Sequence, residues 1–250
     1  MNNSFVFAIQ GEGRGHLTQA IATYEMLVAR GHTVKAVLVG SSKRREIPAF
    51  FKQRIKAPII SYQSPNFVTD TNNKSIRITA TISHNLVRWN TYRNSIRTIR
   101  RVLAEQQPDI LLNFYEPLIG LGSLFRPMHP HIVSIAHQFI YLHPAFRFPS
   151  GGSKSDAWAI KWYTQLTAKG AARLLALSFY PLAPQKHGRL VVAPPLLRSE
   201  LYTLEQYTGK HILVYLLNAG YMQDVIAWSN EHPHVELHCF TDSPTVKGTW

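Results

Sequence analysis

A single cysteine, Cys239, stands in 250 residues. The chain therefore closes no internal disulfide, and its cysteine usage fits a reducing compartment. Acidic residues are also scarce: 14 Asp and Glu stand against 27 Lys and Arg, a formal net charge of +13. Such an excess favours anionic partners, whether nucleic acid, lipid headgroups or phosphorylated substrates, and carries no information about fold. No charge-free apolar run reaches the roughly eighteen residues that a membrane-spanning helix needs. The opening MNNS passes straight into an apolar segment, without the basic stretch and apolar h-region of a signal peptide. A cytoplasmic protein is the expectation. Several chemistries lack their motif. There is no G-x-S-x-G hydrolase elbow, because Ser123 in GLGSL is not followed by glycine. No lysine follows a G-x-x-x-x-G, as a Walker loop requires. His232, His234, His238 and Cys239 have metal-like spacing, but no C-x-x-C closes the set, so no metal is expected.

What is present begins with Phe5 to Arg30. Phe5 to Ile9 is a short continuous apolar run, the pattern of a strand buried on both faces of a parallel sheet. Gly11, Gly13 and Gly15 follow, where backbone can turn sharply and lie open to a ligand. From His16 the period becomes helical through Leu17, Ala20, Ile21, Tyr24, Leu27 and Val28, and Gly31 ends it. A strand, a glycine turn and a helix N-terminus form a site suited to an anionic or strongly polar ligand. The spacing is G-x-G-x-G-H rather than the G-x-G-x-x-G of a dinucleotide fingerprint, with His16 where the third glycine belongs. His16 is then either incidental to a tight structural turn or an imidazole placed at the carboxyl end of the first strand, where open α/β sheets bind ligands.

This segment, G-x-G-x-G-H followed by LTQA and a helix ending in RGH, resembles the amino-terminal motif of GT-B glycosyltransferases, and most of all glycosyltransferase family 28. The resemblance covers about the first 40 residues clearly, and the strand order beyond them in outline. It implies two Rossmann-like domains facing each other across a cleft, the first holding the acceptor and the second a nucleotide sugar. It implies hexosyl transfer to a hydroxyl, with inversion and with no cofactor beyond the nucleotide sugar as co-substrate. His16 would be the general base. Gly11, Gly13, Arg14 and Gly15 would bind substrate.

Further along, Thr33 to Val39 is a second buried strand, followed by Lys43, Arg44 and Arg45. That basic cluster either grips a 2′-phosphate, as in an NADP-dependent reductase, or opens a solvated helix over Arg45 to Lys52. Pro58 to Tyr62 is the third strand. From Ile78 to Leu103 the apolar period predicts a long amphipathic helix whose charges, including Arg88, Arg93, Arg97, Arg100 and Arg101, have one sign. These arginines face either solvent or an anionic surface, such as acidic lipid or a diphosphate-bearing acceptor. Nucleic acid is not expected, since no recognised binding module accompanies the charge. If the surface is lipid, the protein sits peripherally on a membrane.

Ile110 to Phe114 is the fourth strand, ended by Tyr115, Glu116 and Pro117. In the resembling enzymes this strand end bears an acidic residue. Phe114 stands where an aspartate is often found, which leaves Glu116. In a doubly wound order 3-2-1-4-5 the first and fourth strands are neighbours, so Glu116 is expected to meet and orient His16. Ile132 to Ala136 is the fifth strand, and its terminal His137 and Gln138 resemble a substrate-contacting pair. The aromatic loop Phe139 to Gly152 either covers a core edge or meets lipid. A helix over Ala157 to Leu175 and strands at Ala176 to Phe179 and Leu190 to Ala193 follow.

Prolines 181, 184, 194 and 195 mark a change of regime. Residues 1–197 are expected to form the acceptor-side domain, and 198–250 a linker and the beginning of a second Rossmann-like domain. Strands over Ile212 to Leu217 and Val235 to Phe240 flank a helix over Tyr221 to Asn230, one βαβ unit. A complete doubly wound domain takes on the order of 100 residues, so this second part reads as truncated. A remnant that binds acceptor without transferring sugar is the other alternative, beside the reductase.

Overall fold

The computed structural model describes residues 2–42, 46–66, 81, 85, 87–182, 188–216 and 219–241. The chain divides into two units, Met1–Asn66 with Asn85–Thr203 and Phe67–His84 with Leu204–Trp250.

The first unit is a parallel sheet of seven strands: β1 (Ser4–Gln10), β2 (Thr33–Ser41), β3 (Ile59–Gln63), β4 (Ile110–Phe114), β5 (His131–Ala136), β6 (Arg173–Leu177) and β7 (Leu190–Ala193). Their order is β3-β2-β1-β4-β5-β6-β7. This is an α/β Rossmann-like sheet whose order reverses between β1 and β4, the switch point at which such sheets bind ligands. Its helices include α1 (Arg14–Ala29), α2 (Ala49–Arg54), α3 (Trp89–Gln106), α4 (Pro117–Phe125) and α5 (Lys154–Thr167).

β1 is apolar from Phe5 to Ile9 because both of its faces are covered. Phe5, Phe7 and Ile9 pack with Leu17, Ile21 and Phe51 from α1 and α2. Val6 and Ala8 turn to the other face, among Ile99 and Leu103 of α3 and Leu118 of α4. Alternation of period two thus feeds two cores, one on each side of the sheet. Gly120 lets α4 lie close against α5, since a Cβ there would run into the Leu166 carbonyl.

Three expectations need correction. The helix expected over Ala157 to Leu175 stops at Thr167, and Gly170 reverses the chain with φ near +80°. Leu174 and Leu175 belong to β6, where Leu175 pairs with Ile135 of β5. Ala and Leu suit a helix, but strand pairing decides their conformation. The helix after β2 runs over Ala49–Arg54 rather than from Arg45, entered through Pro48. The aromatic stretch after β5 is partly ordered as a 3₁₀ helix, His137–Leu142, with Phe139 wholly buried. Tyr141, Phe146 and Phe148 pack on one another, with ring centroids 5.1–5.4 Å apart. Lys43, Arg44 and Arg45 lie outside the described residues, as do residues 78–80, 82–84 and 86 of the long helix expected from Ile78.

In the second unit, β8 (Ile212–Leu216) pairs in parallel with β9 (Leu237–Thr241), and α6 (Met222–Glu231) connects them. Among the described residues no helix is long and apolar enough to cross a membrane.

Phe7 is fully buried. Phe7→Ala should therefore cost about 3–5 kcal/mol of stability, measured as a lower denaturant midpoint with an unchanged m-value.

Candidate active site

The loop after β1 lies against the end of β2. The Gly11 N–H donates to the Gly40 carbonyl at 2.7 Å. A Cβ on Gly11 would stand 2.7 Å from Val39 Cγ1 and 2.9 Å from Gly40 O, so only glycine allows this approach. Glu12, which sequence reasoning passed over, ties the loop further. One carboxylate oxygen accepts the Ser42 N–H, and the other accepts Asn66 Nδ2 at 2.6 Å. Gly13 then forms the N-cap of α1, which no side chain caps. At Gly13 and Gly15 a Cβ would meet nothing within 4 Å, so this side of the loop is open. Arg14 is exposed beside them.

His16 follows on the first turn of α1 and is 7% exposed. Its ring lies nearly parallel to those of Tyr115, at 5.6 Å, and His137, at 6.0 Å. Nε2 is 3.4 Å from Gln138 Nε2, the long end of a hydrogen bond. Nδ1 of His16 and Oε1 of Gln138 are buried without a hydrogen-bond partner. Burial is the main reason that the His16 pKa falls to about 4. The nearby His137 adds to the fall, and Gln19 opposes it. The imidazole is accordingly neutral at neutral pH and free to accept a proton. His137, more exposed, is lowered by burial as well.

Tyr115 is the second residue that the sequence did not single out. It sits at the end of β4 with φ +60°, a costly conformation for a non-glycine residue. Its hydroxyl shares a 2.7 Å hydrogen bond with Thr164 Oγ1, and its ring packs edge-on against Phe139 and Tyr163. These contacts hold the conformation and set the ring against His16.

Glu116 does not meet His16. Its carboxylate Oε1 accepts Ser64 Oγ at 2.6 Å and the Leu118 N–H at 3.0 Å, capping α4, while its own N–H donates to Asn113 Oδ1 at 2.8 Å. β1 and β4 are neighbours, as the expected strand order requires. The left-handed turn at Tyr115 is what sends the tyrosine ring, rather than the carboxylate, to the imidazole. Glu116 is fully buried, and burial raises its pKa to about 8 against the opposing bonds from Ser64 and Leu118. It is largely a neutral acid at pH 7.

The basic helix divides in two. Arg88, Arg93, Arg97 and Arg101 are exposed. Arg100 is not part of that face: its Nη2 donates to the carbonyls of Gly122, at 3.1 Å, and Arg126, at 2.7 Å, closing the carboxyl end of α4. Among the described residues no group of three His, Cys, Asp or Glu is placed to hold a metal ion. His238 instead bonds Glu236 at 2.6 Å and stacks on His211.

The family model described as "Glycosyl transferase family 1" matches residues 3–235. No curated protein matches the chain. Among solved structures, UGT89C1 of Arabidopsis thaliana complexed with UDP-L-rhamnose is similar at 16% identity and a TM-score of 0.55, covering 97% of this chain and 66% of its own. The same protein has been crystallised with quercetin. The glycotransferase of kitacinnamycin aligns at 13% identity and TM-score 0.53, over 99% and 69% of the two chains. A putative UDP-N-acetylglucosamine 2-epimerase from Listeria monocytogenes aligns at 12% identity and TM-score 0.52, over 98% and 64%. The chain thus spans about two thirds of the length of these structures, and at such identities the likeness shows the fold.

His16 and Glu116 have opposite linkage. Glu116, raised above its unfolded value, binds a proton more tightly when folded, so its stabilisation is lost as pH rises through about 8. His16, depressed to about 4, gives stability that is lost only as pH falls below about 6.5. The two offset in mildly acid solution, and of the pair only Glu116 acts between about pH 6.5 and 8. Over that window stability should fall by about 2 kcal/mol. Glu116→Gln should abolish the fall, as followed by urea unfolding at several pH values.

Proposed function

The chain belongs to glycosyl transferase family 1, and on that premise we propose that it transfers a hexosyl group from a nucleotide sugar to a hydroxyl acceptor, with inversion and with His16 as base. The observation that carries this reading is a neutral, buried imidazole on the first turn of α1, at the carboxyl edge of the sheet. The acceptor oxygen attacks the anomeric carbon and forms the new C–O bond. The bond from that carbon to the diphosphate oxygen breaks, and its electron pair leaves with the diphosphate. The acceptor proton passes to His16. A single displacement inverts the anomeric centre.

With Gln138 donating to Nε2, His16 carries its hydrogen on Nδ1 and turns the Nε2 lone pair toward Gln138. That contact is long, at 3.4 Å, so an acceptor hydroxyl can replace it cheaply. The unpartnered Gln138 Oε1 is a further group for the acceptor to meet. Tyr115 and His137 keep the ring in plane and dry. Gly11, Gly13, Arg14 and Gly15 form the substrate loop, and the uncapped start of α1 favours a polar or anionic group. Glu116 has a positioning part only, since it fixes the turn that presents Tyr115. No cofactor beyond the nucleotide sugar enters, because helix N-termini and basic side chains suit a leaving diphosphate. Residues 1–197 are the acceptor side in this reading, and 198–250 begin the donor side. The UDP-L-rhamnose held by UGT89C1 supports a nucleotide-sugar donor over the NADP alternative.

The exposed Arg88, Arg93, Arg97 and Arg101 form a cationic face that meets an anionic surface, and the acceptor is lipid-linked or otherwise anionic. The chain should then sediment with vesicles of acidic lipid and be released by salt. Equal recovery with neutral vesicles would contradict it.

For the base, His16→Ala should lower turnover by roughly 10²–10⁴ with the circular dichroism spectrum unchanged. Unchanged turnover would remove His16 from the reaction.

A further inference from the structure

At the carboxyl edge of the sheet, where the edge strand β3 adjoins α3, lies a groove of about 580 Å³. Its lining is unusual for this protein. Hydroxyls come from Ser41, Ser42 and Ser61 beside Thr91 and Thr98 of α3, with carboxamides from Gln63 and Asn94. Among the described residues no lining side chain carries a charge, although the chain as a whole carries +13.

That chemistry selects its ligand. A bound anion calls for cations or a cluster of N–H groups, and among the described residues the groove offers no cationic side chain. An apolar ligand would strip water from these hydroxyls and amides without replacing their hydrogen bonds. Hydroxyls and carboxamides both donate and accept, which complements a ligand made of hydroxyls. Two lining residues also carry unmet polar groups: Ser42 Oγ and the hydroxyl of Tyr62 are buried without a hydrogen-bond partner. Buried groups of this kind ordinarily find a partner.

The groove is coupled to the glycine loop. The Ser42 N–H is held by Glu12, which sits between Gly11 and Gly13. β3 lies two strands from β1, about 10 Å at the usual spacing. An acceptor of more than one ring can bridge that distance.

We propose that this groove holds a neutral sugar of the acceptor, which makes the acceptor a glycoside or oligosaccharide rather than a simple alcohol. The proposal rests on the glycosyl-transfer reading and names its substrate class. The test is saturation-transfer NMR on the full chain with cellobiose, maltose, lactose and N,N′-diacetylchitobiose as probes. At least one should receive saturation. Thr91→Val/Thr98→Val, which removes two hydroxyls at nearly constant shape, should weaken that binding at least tenfold, whereas His16→Ala should leave it intact. No transfer to any of these sugars, or equal transfer in the Thr91→Val/Thr98→Val protein, overturns the proposal. A chain that moves sugar from a nucleotide donor yet binds none of the probes loses the groove and keeps the transfer reading. A chain that binds them through the groove and forms no product with any nucleotide sugar loses the transfer reading instead.

Discussion

The carboxyl edge of this sheet depends on one close approach of backbone to backbone, Gly11 against Gly40, with 2.7 Å between donor and acceptor. Neither residue tolerates a side chain. A Cβ on Gly11 would strike Val39 and the Gly40 carbonyl, and one on Gly40 would strike the Glu116 carboxylate and Ser64. Because β1 and β2 are in contact there, α1 begins at Arg14, and His16 falls on its buried side, beside the end of β4. Glu12 extends the same clamp to Ser42 and Asn66. Loop, helix start and imidazole are thus fixed together by the packing of two strands.

Burial treats the two titratable groups of this edge alike, by disfavouring charge, and gives them opposite proton inventories. His16 loses its proton and becomes an acceptor, whereas Glu116 keeps its own and ceases to be an anion. The ordinary triad, in which a carboxylate orients and stabilises an imidazolium, is therefore not built here. His16 is oriented by rings and by a weak amide contact. Depressed basicity is the cost: a base with pKa near 4 stays available at neutral pH but holds an accepted proton weakly.

The fold was legible because its signals were repetitive. Five apolar runs with a glycine turn after the first yield the β3-β2-β1-β4-β5 order. The segment from Ala157 to Leu175 was misread because alanine and leucine serve helix and strand alike, and the chain reversal at Gly170 was overlooked. His16, His137 and Gln138 were found from their places at strand ends, and they do come together. Tyr115 and Glu116 could not be sorted, since a positive φ at a non-glycine residue leaves no mark in composition or period. Glu12 was missed for a similar reason: an acidic residue between glycines looks solvated until two strand ends are seen to close on it. Arg100 was grouped with its neighbours by charge, and only the path of α4 separates it from them.

The central claim is that a dry, uncharged imidazole waits at the switch point. It is tested most directly by following the His16 ring nitrogens by NMR in the free protein as pH is lowered. The account predicts a neutral ring with hydrogen on Nδ1 that titrates near pH 4. A ring that titrates near the ordinary 6.5 of a solvated histidine would contradict it.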